Sequence, residues 1–413
     1  MRWPLAKLEE VALPGKGAVV SGPFGSNISS RFFVAEGVPV IRGNNLTFGE
    51  RRFVDDGFVF LTEEKAQEFR NCEAITDDLV FTAAGTIGQV GIIPSAARFE
   101  RYIISNKQLR VRCDRNKVNP LFLFQWFTTL EMRQHIINKN TGCSIPLINL
   151  GILRGLPVPL PSLEVQDRIA STLSTYDDLI ENNRRRIVLL EEATRQVYQE
   201  WFVRLSFPGH EHTRIVDGVP EGWERISVPE IIDINPKVQV ESGKQIYYVP
   251  MSSLSEVGMT VDSSGFENRT SHTAVKFRKE DVLLARITPC LENGKTAFVH
   301  FLDENEVACG STEFIVLRGR RVSPYFTYCL ARSYDFRENA IKSMVGSSGR
   351  QRVQTSCFEK FALALPPNTL LSQFDETAKG CFAQIANLTK QNQKLRVARN
   401  LLLPKLMSGE IAV

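Results

Sequence analysis

The sequence lacks several features that would each assign a protein to a particular class. No apolar run approaches the ~20 residues that a membrane-spanning helix needs, and the opening residues lead into a mixed segment without the apolar core of a signal peptide. The eight cysteines form no Cys-x-x-Cys pair, and none has a histidine at metal-ligand spacing. These absences predict a cytoplasmic protein with reduced thiols.

The motifs of a DNA methyltransferase or an ATP-driven enzyme are missing as well. The turn with which amino-methyltransferases hold a target base, Asn/Asp-Pro-Pro-aromatic, is approached at Asn119-Pro120 and Asn235-Pro236, but neither has the second proline. No glycine-rich loop suits S-adenosylmethionine, and Pro14-Gly15-Lys16-Gly17 lacks the spacing of a phosphate-binding loop. His210-Glu211-His212 has no third metal ligand nearby. We therefore expect no catalytic residue, no metal and no cofactor in this chain.

The length and net charge of the chain constrain its class less than the missing motifs do. The 413 residues exceed what one hydrophobic core usually holds, so at least two domains are expected. Lys and Arg number 50 against 46 Asp and Glu, a net charge of +4. This mild excess permits contact with nucleic acid but does not demonstrate it.

The chain contains an internal repeat with a period near 205 residues. The acidic turn and apolar strand of Asp77–Phe81 match those of Glu280–Leu284, and a proline opens an amphipathic helix at Asn119-Pro120 and again at Ser323-Pro324. Further strands are predicted over 89–93, 105–111, 296–301 and 311–317. Each copy ends in a proline-bounded segment that precedes a long charged helix. The repeat predicts two mixed α/β domains of one design.

The two long helices share a heptad register. Their apolar positions alternate spacings of three and four residues, which is typical of a coiled-coil seam rather than of two unrelated amphipathic helices. The residues predicted to lie in the seam are Ile180, Asn183, Ile187, Leu190, Val197, Trp201, Ile385, Leu388, Asn392, Leu395, Leu402 and Leu406.

The first long helix predicts a rod of ~50 Å, at about 1.5 Å for each residue. The second domain, with an expected radius of gyration of ~15 Å, is too small to return the chain to the start of that rod, so the helices are predicted to be antiparallel. Alignment at their midpoints places Asn183 opposite Asn392. Such a polar pair would fix the helix register, unless one or both residues lie at a frayed edge of the seam.

Several motifs occur in a fixed order along the chain. They are Ser21-Gly22-Pro23-Phe24-Gly25-Ser26, the segment 37–45, Asp78–Phe81 with Gly85-Thr86-Ile87-Gly88, Leu156–Pro161 with Glu164 and Gln166, Asp178–Asn183, and Leu403–Ile411. Their order and the duplication resemble the specificity subunits of type I restriction-modification systems, and the resemblance covers essentially the whole chain.

This resemblance implies a non-catalytic subunit in which each target-recognition domain reads one half of a bipartite site in double-stranded DNA. It also implies that the helices set the distance between the half-sites and dock two methyltransferase subunits, which restriction subunits then join. S-adenosylmethionine, ATP and Mg²⁺ would be bound by those partners. A rod of ~50 Å would limit the half-site separation to about 15 base pairs.

Base reading requires Arg or Lys for guanine edges and Asn or Gln for adenine edges. The polar loops of the first domain supply Ser26, Asn27, Arg42, Asn44, Asn45, Thr86 and Lys107 as candidates, and those of the second supply Lys237, Arg269, Arg286, Lys295, Arg350 and Arg352. The alternative is ordinary turn chemistry, above all in Gly43-Asn44-Asn45, or a solvated surface. Arg184-Arg185-Arg186 on the first helix would contact DNA or an acidic partner, or form a solvated face.

The second copy departs from the family pattern at Ile287-Thr288-Pro289-Cys290, which replaces the Gly-Thr-Ile-Gly turn, and at Leu371-Ser372-Gln373. These departures imply different half-site sequences. Two other functions remain open: a DNA methyltransferase or restriction-modification fusion with its own recognition domain, and a coiled-coil scaffold that ignores DNA.

The predicted fold is of the α+β class, with two globular recognition domains separated by two long antiparallel coiled-coil helices in a pseudo-two-fold repeat. The predicted segments are a first recognition domain over 1–161, a central helix over 162–207, a second recognition domain over 208–366 with a linker over 208–217, and a C-terminal helix over 367–413.

Overall fold

A computed structural model describes residues 3–241, 243–270, 274–347 and 349–412. The chain divides into two compact units. The first contains the chain up to Glu181 together with the segment from Gln393 onward, and the second contains Asn182–Asn392. Each unit therefore combines one mixed α/β domain with a part of each long helix.

The first domain is built from short strands and short helices. Its strands are β1 (Leu5–Lys7), β2 (Val19–Ser21), β3 (Val38–Ile41), β4 (Val59–Leu61), β5 (Glu73–Ala74), β6 (Leu79–Thr82), β7 (Val90–Ile92), β8 (Tyr102–Ile104), β9 (Gln108–Val111) and β10 (Pro157–Pro159). Its helices are α1 (Leu8–Val11), α2 (Glu63–Glu68), α3 (Pro120–Phe127), α4 (Leu130–Asn138) and α5 (Leu150–Arg154).

The first long helix, α6 (Leu163–Tyr198), continues into a π-helical turn over Gln199–Val203, and the second domain follows. The strands of that domain are β11 (Ile215–Val216), β12 (Val219–Pro220), β13 (Glu224–Ser227), β14 (Ile232–Ile234), β15 (Ile246–Val249), β16 (Glu267–Arg269), β17 (Val275–Arg278), β18 (Val282–Ala285), β19 (Thr296–Phe298), β20 (Val307–Gly310), β21 (Phe314–Gly319) and β22 (Ala362–Leu365). Its helices are α7 (Val228–Ile231), α8 (Pro324–Arg332) and α9 (Tyr334–Lys342), and the second long helix is α10 (Asn368–Ser408).

Sheet topology confirms the internal repeat. The first domain has sheets of order β2-β9-β6-β7 and β4-β3-β8-β5, with β1 paired to β10. The second has β14-β21-β18-β19 and β16-β15-β20-β17, with β13 paired to β22. In each domain one pair is parallel, β3 with β8 and β15 with β20, and the other pairs are antiparallel. The predicted α+β class with two domains and two long helices is thus confirmed.

The proline-opened helices form because each has a side-chain cap. The Asn119 side chain accepts hydrogen bonds from the backbone N–H groups of Leu121 and Phe122 at the start of α3, and Ser323 does the same for Phe326 at the start of α8. Proline at the first turn loses no helical hydrogen bond there. Both helices are almost wholly buried, and each packs into the main hydrophobic core of its own domain.

The acidic residues of the two repeated turns stabilise the sheets by pairing with arginines. Asp78 accepts a two-pronged hydrogen bond from the Arg112 guanidinium at 2.9 and 2.7 Å, and Asp281 does so from Arg318 at 2.7 Å twice. Both carboxylates are buried, so the ion pair and the backbone donors that they cap compensate for lost hydration. The predicted strands are present with other bounds: residues 105–107 form a turn before β9, β19 ends at Phe298, and β21 (Phe314–Gly319) begins and ends later than the strand predicted over 311–317.

Candidate nucleic-acid interface

The loops that carry the candidate residues of the first domain meet at one edge of its sheets. The parallel strands β3 and β8 end side by side, and the backbone N–H of Ser105 donates to Ile41 at that point. The loop after β2 joins there through a bond from Gly22 N–H to Gln108, and the loop after β6 joins through a bond from Ala83 N–H to Lys107. We call the segments 22–27, 42–45, 83–88, 105–107 and 141–147 the first loop edge.

Two adjoining turns of this edge expose three of the candidates. Ser26 and Asn27 belong to a 3₁₀ turn over Gly25–Asn27, and Lys107 lies in the adjacent turn. The Asn106 side chain donates to the carbonyl of Gly25 at 3.3 Å, which joins the two segments. A hydroxyl, an amide and an ammonium group therefore face solvent from neighbouring turns.

Arg42 and Asn44 occupy the loop after β3. Both side chains approach the carbonyl of Gly57 at 3.4 Å, so their polar groups lie side by side. Asn45 differs, because its side chain is buried and bonds to the carbonyls of Val54 and Asp56 at 2.9 and 2.8 Å. Asn45 therefore stabilises the loop through its buried hydrogen bonds, as the turn interpretation expected. We leave it out of the proposed contact surface.

Thr86 lies exposed in the turn after β6. This turn is held against the loop over 141–147, since Gly85 N–H donates to Pro146 and Ala84 forms a β-bridge with Leu147. The loop was absent from the candidates, because its sequence Thr-Gly-Cys-Ser-Ile-Pro-Leu has no strongly polar side chain.

The second domain has the same arrangement. The parallel strands β15 and β20 end together where Ser311 N–H donates to Val249, and Arg286 N–H donates to Glu313. We call the segments 235–238, 250–253, 286–294, 311–313 and 345–352 the second loop edge. Ser348 lies outside the residues that the structure describes.

Lys237 and Arg286 lie on this edge and line one cleft of about 380 Å³ together with Lys276. Arg286 approaches Glu313 at 3.8 Å. Arg352 makes a two-pronged contact with the same carboxylate at 2.8–3.0 Å, and this bond raises the pKa of its guanidinium. One carboxylate therefore orients two candidate arginines.

The remaining candidates are placed differently. Arg350 is exposed near the tip of the hairpin over 345–352, and the Lys295 ammonium donates to the Met251 carbonyl at 3.2 Å, within the second loop edge. Arg269 lies on β16 opposite Ile246, at the far end of β15 from the edge. Its guanidinium lies 3.3 Å from the ring centroid of Tyr248 and bonds to Glu267, which raises its pKa. The structure does not bring Arg269 to the loop edge.

Sequence reasoning missed Glu313, Lys276 and the segment 141–147, whereas the basic loop around Arg350 was predicted. The repeat carried a signal for the first of these, because Glu313 occupies the turn between β20 and β21 as Lys107 occupies the turn between β8 and β9. An acidic residue at the position of a candidate lysine is a reason to look for arginine partners. The sequence does not reveal that Arg352 and Arg286 are those partners, because they come from separate segments.

The seam residues lie along the two long helices. In the second unit the Asn183 side-chain amide donates to the Asn392 side-chain oxygen at 3.0 Å, and both residues are buried. In the same unit Ile187, Leu190 and Val197 of α6 join the hydrophobic cluster that contains Ile385 of α10. Leu388 is buried in this unit as well, and Trp201 packs partly buried against the cluster.

In the first unit Ile180 and Leu406 are buried, while Leu395 is half-buried and Leu402 packs against the core. Arg399 takes a seam position here, and its guanidinium donates to Asp177 at 3.1 Å. Partner numbers on α10 fall as those on α6 rise, as an antiparallel pair requires.

In each domain the loop edge presents hydrogen-bonding and cationic side chains on turns that are connected by backbone hydrogen bonds. Such groups can bond to base edges and neutralise phosphates. Within the described parts of the chain, no three His, Cys, Asp or Glu residues are placed to hold a metal ion. His210 uses its Nδ1 atom against the Phe207 carbonyl at 2.8 Å. None of the described helices is both long and apolar enough to span a membrane.

Residues 29–192 match the family described as type I restriction modification DNA specificity domain. The full chain is 24% identical to the type I restriction enzyme MjaIX specificity subunit of Methanocaldococcus jannaschii, with 100% of this chain and 94% of that protein covered. A shorter match, 35% identical, joins 37% of this chain to 26% of the EcoEI specificity subunit of Escherichia coli.

The crystal structure of a type I restriction-modification S subunit from M. genitalium has the same fold. Its TM-score is 0.57 at 14% sequence identity, and the match covers 98% of this chain and 96% of the other. At this identity the likeness concerns the fold alone.

Proposed function

We propose that this chain, which belongs to the family of type I restriction enzyme specificity subunits, recognises DNA for a restriction-modification complex and performs no chemistry itself. The observation that carries the proposal is the convergence, in each domain, of polar and basic side chains on one edge of the sheets. Because backbone hydrogen bonds join these turns to one another, their side-chain donors and acceptors keep a fixed spacing, which base recognition requires.

Each domain would read one half of a split site in double-stranded DNA. Arg42, Asn44 and Lys107 would contact bases or phosphates from the first loop edge, with Ser26, Asn27 and Thr86 beside them. Lys237, Arg286, Arg350 and Arg352 would do so from the second, with Lys295 behind them. The repeat supports this division, because the same loops in both domains have the same strand connections but different side chains.

The long helices would dock two methyltransferase subunits and set the separation of the half-sites, and restriction subunits would join that complex. Its S-adenosylmethionine, ATP and Mg²⁺ would be bound by those partners, in the cytoplasm. The Asn183–Asn392 hydrogen bond supports a fixed helix register, because a polar pair in an apolar seam is satisfied only when the two amides meet.

The test is co-expression of the chain with the products of its neighbouring genes, followed by mapping of methylated bases. Methylation of one split sequence is expected, and removal of this chain should abolish it. Methylation by this chain alone would contradict the proposal, as would binding that falls with salt equally for every DNA sequence.

Matched variants assign the effect to the loop edges. Arg42→Ala and Arg350→Ala should each weaken DNA binding by about tenfold without unfolding the protein. Lys16→Ala and Lys279→Ala are the controls, because Lys16 precedes β2 and Lys279 precedes β18, at the opposite strand ends from the loop edges. Equal losses in variants and controls would indicate a diffuse charge effect.

A further inference from the structure

The first loop edge carries an aromatic side chain that packs against almost nothing. Phe24 is 91% exposed, although phenylalanine is among the residue types most often buried. It lies in the segment 22–27, one residue before the turn that holds Ser26 and Asn27. Single exposed apolar side chains are common on protein surfaces, but Phe24 has the largest exposed fraction among the large apolar residues that the structure describes, and it lies on the loop edge.

The backbone on both sides of Phe24 is fixed. A Cβ atom at position 22 would lie 1.9 Å from the Ser105 carbonyl oxygen, so only glycine allows this approach. Gly25 has a φ of +56°, a conformation that favours glycine, and its carbonyl accepts from the Asn106 side chain. Pro23 between them is buried. The ring of Phe24 therefore projects from a loop whose backbone conformation is fixed by its contacts.

The surroundings of the ring favour nucleic acid over protein. The five segments of the first loop edge contain Arg42 and Lys107 and no carboxylate. One exposed carboxylate, Asp56, lies beside Gly57, whose carbonyl Arg42 approaches, so the edge has a small excess of positive charge that attracts an anionic partner. Protein docking sites offer contiguous apolar patches. The exposed residues of the two turns beside Phe24, Ser26, Asn27 and Lys107, are polar, and the exposed apolar side chains Ile145 and Leu147 of this edge belong to the separate segment 141–147. The corresponding loop of the second domain, 235–238, contains Lys237 and no aromatic residue.

We propose that Phe24 reads the first half-site by an apolar contact between its ring and a base. This inference rests on the proposed function. Two contacts share that chemistry: the ring packs on a thymine methyl group in the major groove, or it wedges between two bases and unstacks them. In either case the contact distinguishes sequences without a hydrogen bond, and the second half-site has no counterpart.

The experiment uses the complex of the full chain with its methyltransferase and a duplex of the sequence found by methylation mapping. Phe24→Ala should weaken binding to that duplex about tenfold while binding to unrelated DNA stays unchanged, since the lost contact depends on the base that the ring meets. Phe24→Trp should retain most of the affinity. Tyr334→Ala is the control, because Tyr334 is a 74% exposed aromatic residue of the second unit that lies outside the segments of both loop edges.

Two probes separate the contacts. Replacing each thymine of the first half-site by uracil removes one methyl group, and a loss that occurs with wild-type protein but not with Phe24→Ala identifies a methyl contact. A rise in 2-aminopurine fluorescence that depends on Phe24 identifies a wedge.

Equal binding by wild type and Phe24→Ala would overturn the inference, as would equal losses on specific and unrelated DNA. A loss of methyltransferase assembly in place of DNA affinity would do so as well, since it would make Phe24 a protein contact. If the wild-type complex shows no sequence preference at all, the proposed function itself fails.

Discussion

The two units attach their recognition domains to the long helices with different chemistry. In the first unit Arg399 of α10 is buried and donates to Asp177 of α6 at 3.1 Å and to Gln125 of α3 at 2.6 Å. Gln125 closes the network by donating to Asp177 at 2.6 Å. Three polar side chains from three helices thus form one connected junction.

The second unit has aromatic rings at the equivalent junction. Phe382 of α10 stands 205 residues after Asp177, the repeat distance. Its ring centroid lies 4.8 Å from that of Phe298, 4.9 Å from Tyr325 and 5.7 Å from Tyr328, in edge-to-face contacts. Charge has been replaced by apolar surface at one position of the repeat.

Glu191 of α6 accepts two hydrogen bonds beside the aromatic junction. The Tyr328 hydroxyl donates to the Glu191 carboxylate of α6 at 2.5 Å, and Glu191 also accepts from the backbone N–H of Met259 at 2.8 Å. Burial raises the pKa of Tyr328 well above its usual value, so the hydroxyl remains protonated and keeps donating.

The difference shows that duplication preserved the topology and not the junction chemistry. A buried ionic network requires all its members, because a charge left without its partner is expensive in a low-dielectric interior. Aromatic contacts are less directional, and each ring contributes mainly through buried area. The first junction should therefore respond more steeply to the loss of one member, and should recover when its partner is also removed.

The largest expected effect is that of Arg399→Leu. It leaves the half-buried Asp177 carboxylate without its main cationic partner, and removing one member of a buried pair typically costs about 3–5 kcal/mol. Hydrogen exchange monitored by mass spectrometry should show faster exchange of α3 and of the C-terminal part of α10, with the second unit unchanged.

Two further variants sharpen this test. Arg396→Leu alters a half-buried arginine one turn earlier on α10 and should have little effect. Adding Asp177→Leu to Arg399→Leu should restore much of the lost protection, because both charges are then gone. If the double variant were less protected than the single one, the junction would not act as an ion-pair network.

Phe382→Ala should have the next largest effect, in the second unit. Truncation of a buried phenylalanine removes its transfer free energy and leaves a cavity, with a loss of about 3 kcal/mol at the lower end of the usual range. Exchange should accelerate in α8 and β19 while the first unit keeps its protection. Cys381→Ala, one residue earlier and only half-buried, is the control; comparable losses in the two variants would indicate that the aromatic cluster is not the attachment.

The junction could not have been predicted from the sequence, although much of the fold could. The repeat, the two long helices and the opposition of Asn183 to Asn392 follow from periodicity and arithmetic, because they depend on spacing along one chain. The heptad register also places Arg399 in the seam, but it does not show which residues an arginine at this otherwise apolar position would contact. Its partners Asp177 and Gln125 come from distant segments, and spacing does not indicate which side chains meet across a core.

The same limit applies to the loop edges. Glycine and asparagine mark Gly43-Asn44-Asn45 as a turn, yet which asparagine points inward depends on the carbonyls of Val54 and Asp56, which come from the following loop. Arg269 was predicted from its charge, and its strand pairing with Ile246 places it away from the edge. Residue type thus indicates the chemistry available to a loop, and strand register determines whether that chemistry reaches the edge.

The smallest expected effect is a pH dependence confined to the second unit. His300 follows β19, and burial lowers its pKa below the usual value, while the bond of its Nδ1 atom to the Phe298 carbonyl opposes the shift only in part. The matching position in the first domain is Pro94, because Ile92 pairs with Leu79 as Phe298 pairs with Val282.

Since the folded-state pKa of His300 lies below that of the unfolded chain, about 6.5, the unfolded state binds the extra proton first. The contribution of His300 to stability is therefore complete above about pH 6.5 and is lost as the pH falls below that value. Wild-type protein should lose protection of β18 and β19 between about pH 7.5 and 5.5 relative to His300→Leu at each pH, while β6 and β7 respond alike in both proteins. A parallel response of the two proteins in β18 and β19 would show that His300 is not the group responsible.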